Sequence, residues 1–279
     1  MNLPEFNKIP DAIAIDLDGT LLDSSSKLSV RNKRAMENCT ECGVPVIIAT
    51  SRPIRSVRRL IGNELADICS HVLLNGAIAI GNPPLSGYHR EILPDDIARG
   101  IVNYALRVEP EATIGIELDG YKFGANWDIS PSKLREQHSA TPDMLLSLEE
   151  SLELKPSKVN IGGIGTRMLD HVEELKEQHS DLISIVHSFF DVPMIMITTA
   201  QATKTNALKK LLGSINSLLD NVVAIGDDIP DIEMLQECGI PIAIANAIPE
   251  VKEICAYSTA SNDDDGVAIV LDKIVESVK

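Results

Sequence analysis

The strongest constraint in this chain is a rhythm. Short, uninterrupted apolar runs alternate with segments of helical pattern, and each run ends on a side chain that can do chemistry. Ala12-Ile13-Ala14-Ile15-Asp16-Leu17 ends in a carboxylate, Val44–Thr50 in a hydroxyl, His71–Asn75 in an amide and Asn221–Asp227 in a carboxylate again. A strand that is apolar on both faces must be covered on both faces, as in a parallel sheet between two layers of helix. The intervening helices are expected over Val30–Cys42, stopped by Gly43, and over Pro53–Leu65, where Pro sits in the first turn and its missing N–H costs nothing. Ligands bind outside the carboxyl ends of the strands in such a sheet, so the polar run ends should share one rim.

The rhythm breaks at the loop cluster Gly81-Asn82-Pro83-Pro84-Leu85-Ser86-Gly87. A helix over Pro94–Val108 follows, then strands Thr113–Leu118 and Tyr121–Phe123 split by the hairpin signal Asp119-Gly120. Strand Lys158–Ile164, helix Thr166–His179 and strand Ile183–Phe189 repeat the scheme. These elements predict an α+β unit at 84–190. The first rhythm then resumes with helix Thr203–Leu212, the strand ending at Asp227, helix Pro230–Cys238, strand Ile240–Ala245 and helices Pro249–Ala256 and Gly266–Val278. The expected architecture is α/β: a doubly wound parallel-sheet, Rossmann-like core from 1–83 and 191–279, with the 84–190 unit inserted as a cap.

Composition removes several function classes. With 41 Asp and Glu against 25 Lys and Arg, the formal charge is −16. That average field repels DNA and RNA, and four Phe, four Tyr and one Trp give few surfaces for stacking bases. No apolar stretch is long enough to span a membrane, and Met1–Phe6 does not open a secretory signal. Five Cys, an odd number, fit reduced thiols in the cytoplasm. Cys39 and Cys42 make one isolated C-x-x-C, read as two thiols on a helix because no second pair completes a zinc site. Oligomeric state is left open.

The rim residues suggest phosphoryl chemistry. Asp16 and Asp18 are two apart, so in extended chain both carboxylates point the same way and repel unless a cation neutralises them. Asp227, with Asp231 nearby, arrives from another strand end, and an all-oxygen set of this kind suits Mg²⁺. Lys204, the Thr50 hydroxyl and backbone N–H groups are candidates to hold a phosphoryl group. One carboxylate can then attack phosphorus, and the second can protonate the leaving oxygen and later activate water.

Four strings, in order, carry a resemblance. Asp16-Leu17-Asp18-Gly19-Thr20-Leu21-Leu22-Asp23, Ile48-Ala49-Thr50-Ser51-Arg52-Pro53, Lys204-Thr205-Asn206-Ala207-Leu208 and Gly226-Asp227-Asp228-Ile229-Pro230-Asp231-Ile232-Glu233-Met234-Leu235 resemble the motifs of the haloacid dehalogenase superfamily. The tail Asn262-Asp263-Asp264-Asp265-Gly266-Val267-Ala268 resembles its Cof-type, sugar-phosphatase-like branch. The resemblance implies that Asp16 is nucleophile and metal ligand. It makes Asp18 the acid/base and, through its main-chain carbonyl, a metal ligand. It puts Thr50, Ser51 and Lys204 at the phosphate and Asn75 near the substrate, and gives Asp227 and Asp231 to the metal or its immediate surroundings. Two positions depart from the pattern: Ser51 stands where Gly is usual, and Pro230 where Asn is usual.

The implied function is Mg²⁺-dependent hydrolysis of a small phosphorylated metabolite, such as a sugar phosphate, through an aspartyl phosphate. A phosphomutase is the rival enzyme. It would need clustered Arg in the cap for a second phosphate, whereas Arg90, Arg99, Arg107, Arg135 and Arg167 are dispersed. A phosphate-ligand binding or regulatory module with little turnover is the rival from outside catalysis. Three weaker signals read as structural: Gly163-Ile164-Gly165 as a turn, Arg55, Arg58 and Arg59 as a solvated helix face, and Lys158 with Asn160 as one face of a cap strand, solvated or turned to substrate.

Overall fold

The computed structural model describes residues 1–163, 174, 176–177, 179, 181–188 and 194–278. They form two compact units, one of Met1–Arg52, Val57–His89 and Lys204–Lys279, the other of Pro53–Ser56 and Arg90–Thr203.

The first unit starts with strands β1 (Ala12–Ile15), β2 (Val46–Ala49), β3 (Ser70–Leu73), β4 (Ile78–Ile80) and β5 (Tyr88–Arg90). Helices α1 (Val30–Glu41), α2 (Ile54–Ile61, whose residues up to Ser56 belong to the second unit) and α3 (Asn63–Ile68) connect them. The second unit contributes α4 (Asp95–Val108), α5 (Pro131–His138) and α6 (Leu148–Glu153). Its strands are β6 (Thr113–Glu117), β7 (Phe123–Ala125), β8 (Leu145–Ser147), β9 (Lys158–Gly162), β10 (Ile183–Ser188) and β11 (Met194–Thr199). The chain returns to the first unit through α7 (Lys204–Gly213), β12 (Val222–Gly226), α8 (Ile232–Glu237), β13 (Ile240–Ala243), α9 (Pro249–Ile254), β14 (Tyr257–Ser258) and α10 (Gly266–Val278).

The first sheet has eight strands in the order β14-β13-β12-β1-β2-β3-β4-β5. Pairing is parallel from β14 through β3. Every residue of β1 is buried, as its unbroken apolar run requires. From β1 the chain winds one way through β2 and β3, and later the other way through β12, β13 and β14. The reversal falls between β1 and β12, whose carboxyl ends deliver Asp16 and Asp227, and such a switch point opens a crevice for ligands. The parallel sheet differs from expectation at one edge: β4 runs antiparallel to β3. Asn75, in the left-handed region at φ 62, reverses the chain there without a crossover helix.

The second unit is a six-stranded sheet in the order β10-β11-β9-β6-β7-β8, antiparallel except for β7 with β8. Alternate residues Ile114, Ile116, Val159, Ile161, Ile195 and Ile197 pack against Ile97, Ile101 and Ala105 of α4, the period-two pattern of a sheet covered on one side. The turn at Asp119-Gly120 forms as expected, with the Asp119 carboxylate accepting from the N–H groups of Tyr121 and Lys122.

Several expectations need adjustment. Met194–Thr199 falls within the 191–279 segment expected in the core, but it is β11 and lies between β9 and β10 because Ile195 and Ile197 bury on the α4 side. The single helix over 53–65 is two, broken where Gly62 takes φ 86. Arg55 is not on a solvated face. It is buried, with its guanidinium 2.7 and 2.6 Å from the two Glu117 oxygens and 4.6 Å from the Phe123 ring centroid. Arg58 pairs with Asp67, and only Arg59 is exposed. Lys158 is also buried, and burial pushes its pKa down to about 8 while Glu117 opposes the shift. Ile164, Gly165, Arg167, most of the expected 166–179 helix and the end of the strand at Phe189 lie outside the described residues. Among those described, no helix is long and apolar enough to cross a membrane.

His71 on β3 gives the fold a pH dependence. Burial pushes its imidazole pKa down to about 4, although the 2.8 Å contact of Nε2 with the Ala66 carbonyl works the other way. The unfolded chain, titrating at the ordinary 6.5, takes up the proton first as pH falls. This stabilising contribution is therefore present above about pH 6.5 and is lost on the way down to 4. Unfolding free energies from urea titration should drop by about 2 kcal/mol between roughly pH 7.5 and 5 from this group, and His71→Gln should flatten that part of the profile.

Candidate active site

Asp16 directly follows β1, and its N–H still donates to the Ile225 carbonyl at 3.0 Å, so the sheet fixes where its side chain starts. The chain then makes one wide turn over Leu17–Leu21, closed by the Leu22 N–H on the Leu17 carbonyl at 2.9 Å. Gly19 is required in that turn. Its φ is +79, and a Cβ there would lie 2.4 Å from Asp227 Oδ2. Next to it, Thr20 Oγ1 donates to Asp227 Oδ1 at 2.6 Å.

Lys204, the first residue of α7, donates from Nζ to Asp16 Oδ1 and to Asp231 Oδ1, both at 2.6 Å. All three residues are buried. The second oxygen of Asp231 accepts from the N–H groups of Asp227 at 3.0 Å and Asp228 at 3.3 Å. Asp16, Asp227 and Asp231 each offer one carboxylate oxygen, and these oxygens lie within 4.8 Å of one another.

The electrostatics follow from burial. Asp16 has its pKa raised well above the ordinary value, by desolvation first and then by the Asp231 charge, with Lys204 opposing. Asp227 is pushed up to about 6, mainly by burial and further by Asp231 and Asp228, while the Thr20 hydroxyl bond lowers it. Burial alone would lower the Lys204 pKa, but the Asp16 and Asp231 carboxylates more than offset this and leave it raised. One ammonium thus faces three carboxylates, and the donor set is entirely oxygen. This arrangement fits a hard divalent cation.

The phosphate-side candidates also converge. Thr50 is buried just past β2, and its Oγ1 accepts from the Arg52 N–H at 3.2 Å. The Asn75 N–H donates to the Thr50 carbonyl at 3.3 Å, which places the ends of β2 and β3 side by side. Ser51, the next residue after Thr50, is half-buried. The carboxylate of Asp18 is not part of the three-acid cluster among the described residues. It is gripped by Arg52, with Nε to Oδ2 at 2.7 Å and NH2 to Oδ1 at 2.8 Å. Sequence reasoning assigns no role to Arg52 or Thr20, although Arg52 adjoins Ser51 and Thr20 is two residues from Asp18. Pro230 sits exposed in the short turn Ile229–Asp231, and the Asp231 N–H still reaches the Asp228 carbonyl at 2.9 Å. The departure therefore leaves Asp231 in place.

Comparison with known proteins comes from three directions. The family model described as haloacid dehalogenase-like hydrolase matches residues 13–271. Phosphatase YwpJ of Bacillus subtilis is 27% identical, with 92% of this chain and 96% of its own length covered. The 5-amino-6-(5-phospho-D-ribitylamino)uracil phosphatase YwtE of Bacillus subtilis is 28% identical over 94% and 97%. Phosphoglycolate phosphatase of Methanothermobacter thermautotrophicus is 26% identical over 92% and 95%. The crystal structure of TM0651 from Thermotoga maritima superposes with a TM-score of 0.78 at 24% identity, covering 95% and 97% of the two chains. A haloacid dehalogenase-like hydrolase structure from B. subtilis gives 0.78 at 22% identity over 94% and 99%. At these identities the two structures speak to the fold alone.

The turn at Gly19 yields a direct test. In Gly19→Ala the new methyl meets the Asp227 carboxylate at 2.4 Å in a backbone conformation that L residues rarely adopt. The turn and Asp227 must move apart. Turnover should fall about a hundredfold, as expected for an ångström-scale displacement of reacting groups. Kinetics alongside far-UV circular dichroism should show the loss with the fold retained.

Proposed function

The chain belongs to the haloacid dehalogenase-like hydrolase family, and on that premise we propose that it is a Mg²⁺-dependent phosphatase of small phosphorylated metabolites, with Asp16 as the nucleophile. The observation that carries this reading is Lys204 Nζ bridging Asp16 and Asp231 at 2.6 Å beside Asp227, at the switch point of the sheet.

Asp16 Oδ2, the oxygen not bonded to Lys204, attacks phosphorus and the bond to the leaving oxygen breaks. Asp18, protonated from water after one of its Arg52 bonds opens, gives that oxygen its proton. The product alcohol departs and an aspartyl phosphate remains. Asp18, now a carboxylate, takes a proton from water, the water oxygen attacks phosphorus, and the Asp16 carboxylate is released with inorganic phosphate. Thr50, Ser51 and Lys204 hold the phosphoryl oxygens. Asp16, Asp227 and the Asp18 carbonyl would hold the cation, with Asp231 beside them. Mg²⁺, when bound, supplies positive charge against the phosphoryl oxygens.

The substrate class is supported by two of the relatives, which are named phosphatases of phosphorylated metabolites. Hydrolysis is preferred to mutase chemistry because three of the cap arginines are occupied within their own unit. Arg90 Nε donates to Ser157 Oγ, Arg99 pairs with Glu149, and Arg107 stacks over Tyr104. The five free cysteines suit a reducing cytoplasm.

Phosphate release from a panel of sugar phosphates, phosphoglycolate, the ribitylaminouracil phosphate and p-nitrophenyl phosphate tests the proposal. Release should require Mg²⁺, and Asp16→Asn should lower it by at least about a thousandfold, because an amide is not a competent nucleophile. Asp16→Asn with activity near that of the parent would end the covalent reading.

A further inference from the structure

Asp18 sits on a turn that contains the most permissive backbone in the site. Gly19, at φ +79, has no Cβ to restrict it, so something outside the turn must hold its peptide plane. Three asparagines from elsewhere in the chain donate to carbonyls of this stretch. Asn32 Nδ2 reaches Leu21 O at 3.1 Å, Asn262 Nδ2 reaches Leu22 O at 2.9 Å, and Asn246 Nδ2 reaches Gly19 O at 2.7 Å. Asn32 and Asn262 are buried, and removing either would strand buried backbone groups. Asn246 is different. It is exposed, so burial gives no account of it, yet both ends of its amide are used. Its Oδ1 accepts from the Asn262 N–H at 2.9 Å.

The position of Asn246 is informative. It lies just past β13, in a loop whose Ile248 N–H donates to the Asp227 carbonyl at 2.9 Å. One short loop therefore references two parts of the site: the main chain of Asp227 through Ile248, and the residue after Asp18 through Asn246. On the far side of the Gly19–Thr20 peptide, the Thr20 hydroxyl is tied to Asp227. The plane is thus pinned on one side to the loop after β13 and on the other to the Asp227 carboxylate.

We propose that Asn246 is a positioning residue that fixes the Gly19 peptide and so sets the reach of Asp18 toward the leaving oxygen, an inference that rests on the acid/base role given to Asp18 above. The consequence depends on the leaving group. An alkyl phosphate needs the Asp18 proton as its oxygen departs, whereas p-nitrophenolate leaves readily without one. A displaced Asp18 penalises the first far more than the second.

The experiment is kcat/KM for parent, Asn246→Ala and Asn246→Asp on the best alkyl phosphate from the panel and on p-nitrophenyl phosphate, with Mg²⁺ saturating and thermal midpoints recorded. Asn246→Ala should lose about tenfold or more on the alkyl phosphate and about threefold or less on p-nitrophenyl phosphate, carried by kcat with KM little changed. Asn246→Asp is isosteric and keeps the acceptor for the Asn262 N–H, but presents a carboxylate to Gly19 O, and should lose at least as much. Equal losses on the two substrates, a change confined to KM, or no loss would each overturn the assignment. A parent that releases phosphate from neither substrate overturns the phosphatase reading, and this inference with it. An active parent whose variants keep its preference between the two substrates overturns this inference alone.

Discussion

A lysine ammonium 2.6 Å from each of two buried carboxylates is the interaction on which the rest of the site depends. Three acids within 4.8 Å cannot all ionise in a buried place without positive charge. Lys204 supplies one unit of it, and supplies it between Asp16 and Asp231. The oxygen of Asp231 that does not face Lys204 is taken by two backbone N–H groups. Asp231 is therefore fully employed in orienting Lys204, and Asp16 keeps a second oxygen for chemistry. One lysine so placed gives two neighbouring acids different work.

That geometry needs strands to end where they do. β1 and β12 are paired in register from Ala12 with Val222 to Ile15 with Ile225, so Asp16 and Asp227 leave the sheet on the same rim. Glycines make the approach close enough. Gly19 faces Asp227, and a Cβ at Gly226 would lie 2.7 Å from the Asp231 carboxylate. The cost of such crowding is borne by the sheet, whose central strands are buried throughout. A rigid and wholly apolar floor lets a polar rim be packed this tightly.

Much of this was legible in the sequence. Unbroken apolar runs ending in Asp, Thr and Asn gave the parallel strands and their rim, because periodicity and strand ends are local properties. The hairpin at Asp119-Gly120 and the helix over Gly266–Val278 were legible for the same reason. What was not legible depends on partners distant in sequence. Arg55 reads as surface charge until Glu117 meets it. The apolar stretch Met194–Thr199 has no local mark of the sheet it joins, and only pairing with β9 and β10 assigns it. Asp18 looked like a companion of Asp16 because residues two apart share a face in extended chain, but the turn at Leu17–Leu21 breaks that geometry and gives Asp18 to Arg52.

That last difference separates the two acids. Asp16 is buried at the switch point of the sheet and bonded to an ammonium through one oxygen, Oδ1. Asp18 is about a third exposed and held through both oxygens by a guanidinium. A nucleophile must be fixed, dry and deprotonated at the moment of attack; burial keeps Asp16 dry but raises its pKa, and Lys204 fixes one oxygen and works against that rise. An acid/base must pass a proton between a leaving group and water, so it needs access to both and a partner that releases it. Arg52 is suited to that task because its planar fork can give up one hydrogen bond and keep the other. In the mechanism proposed above, two carboxylates with only one residue between them would thus take different roles through what surrounds each, a division that the same two residues in a straight strand would not produce.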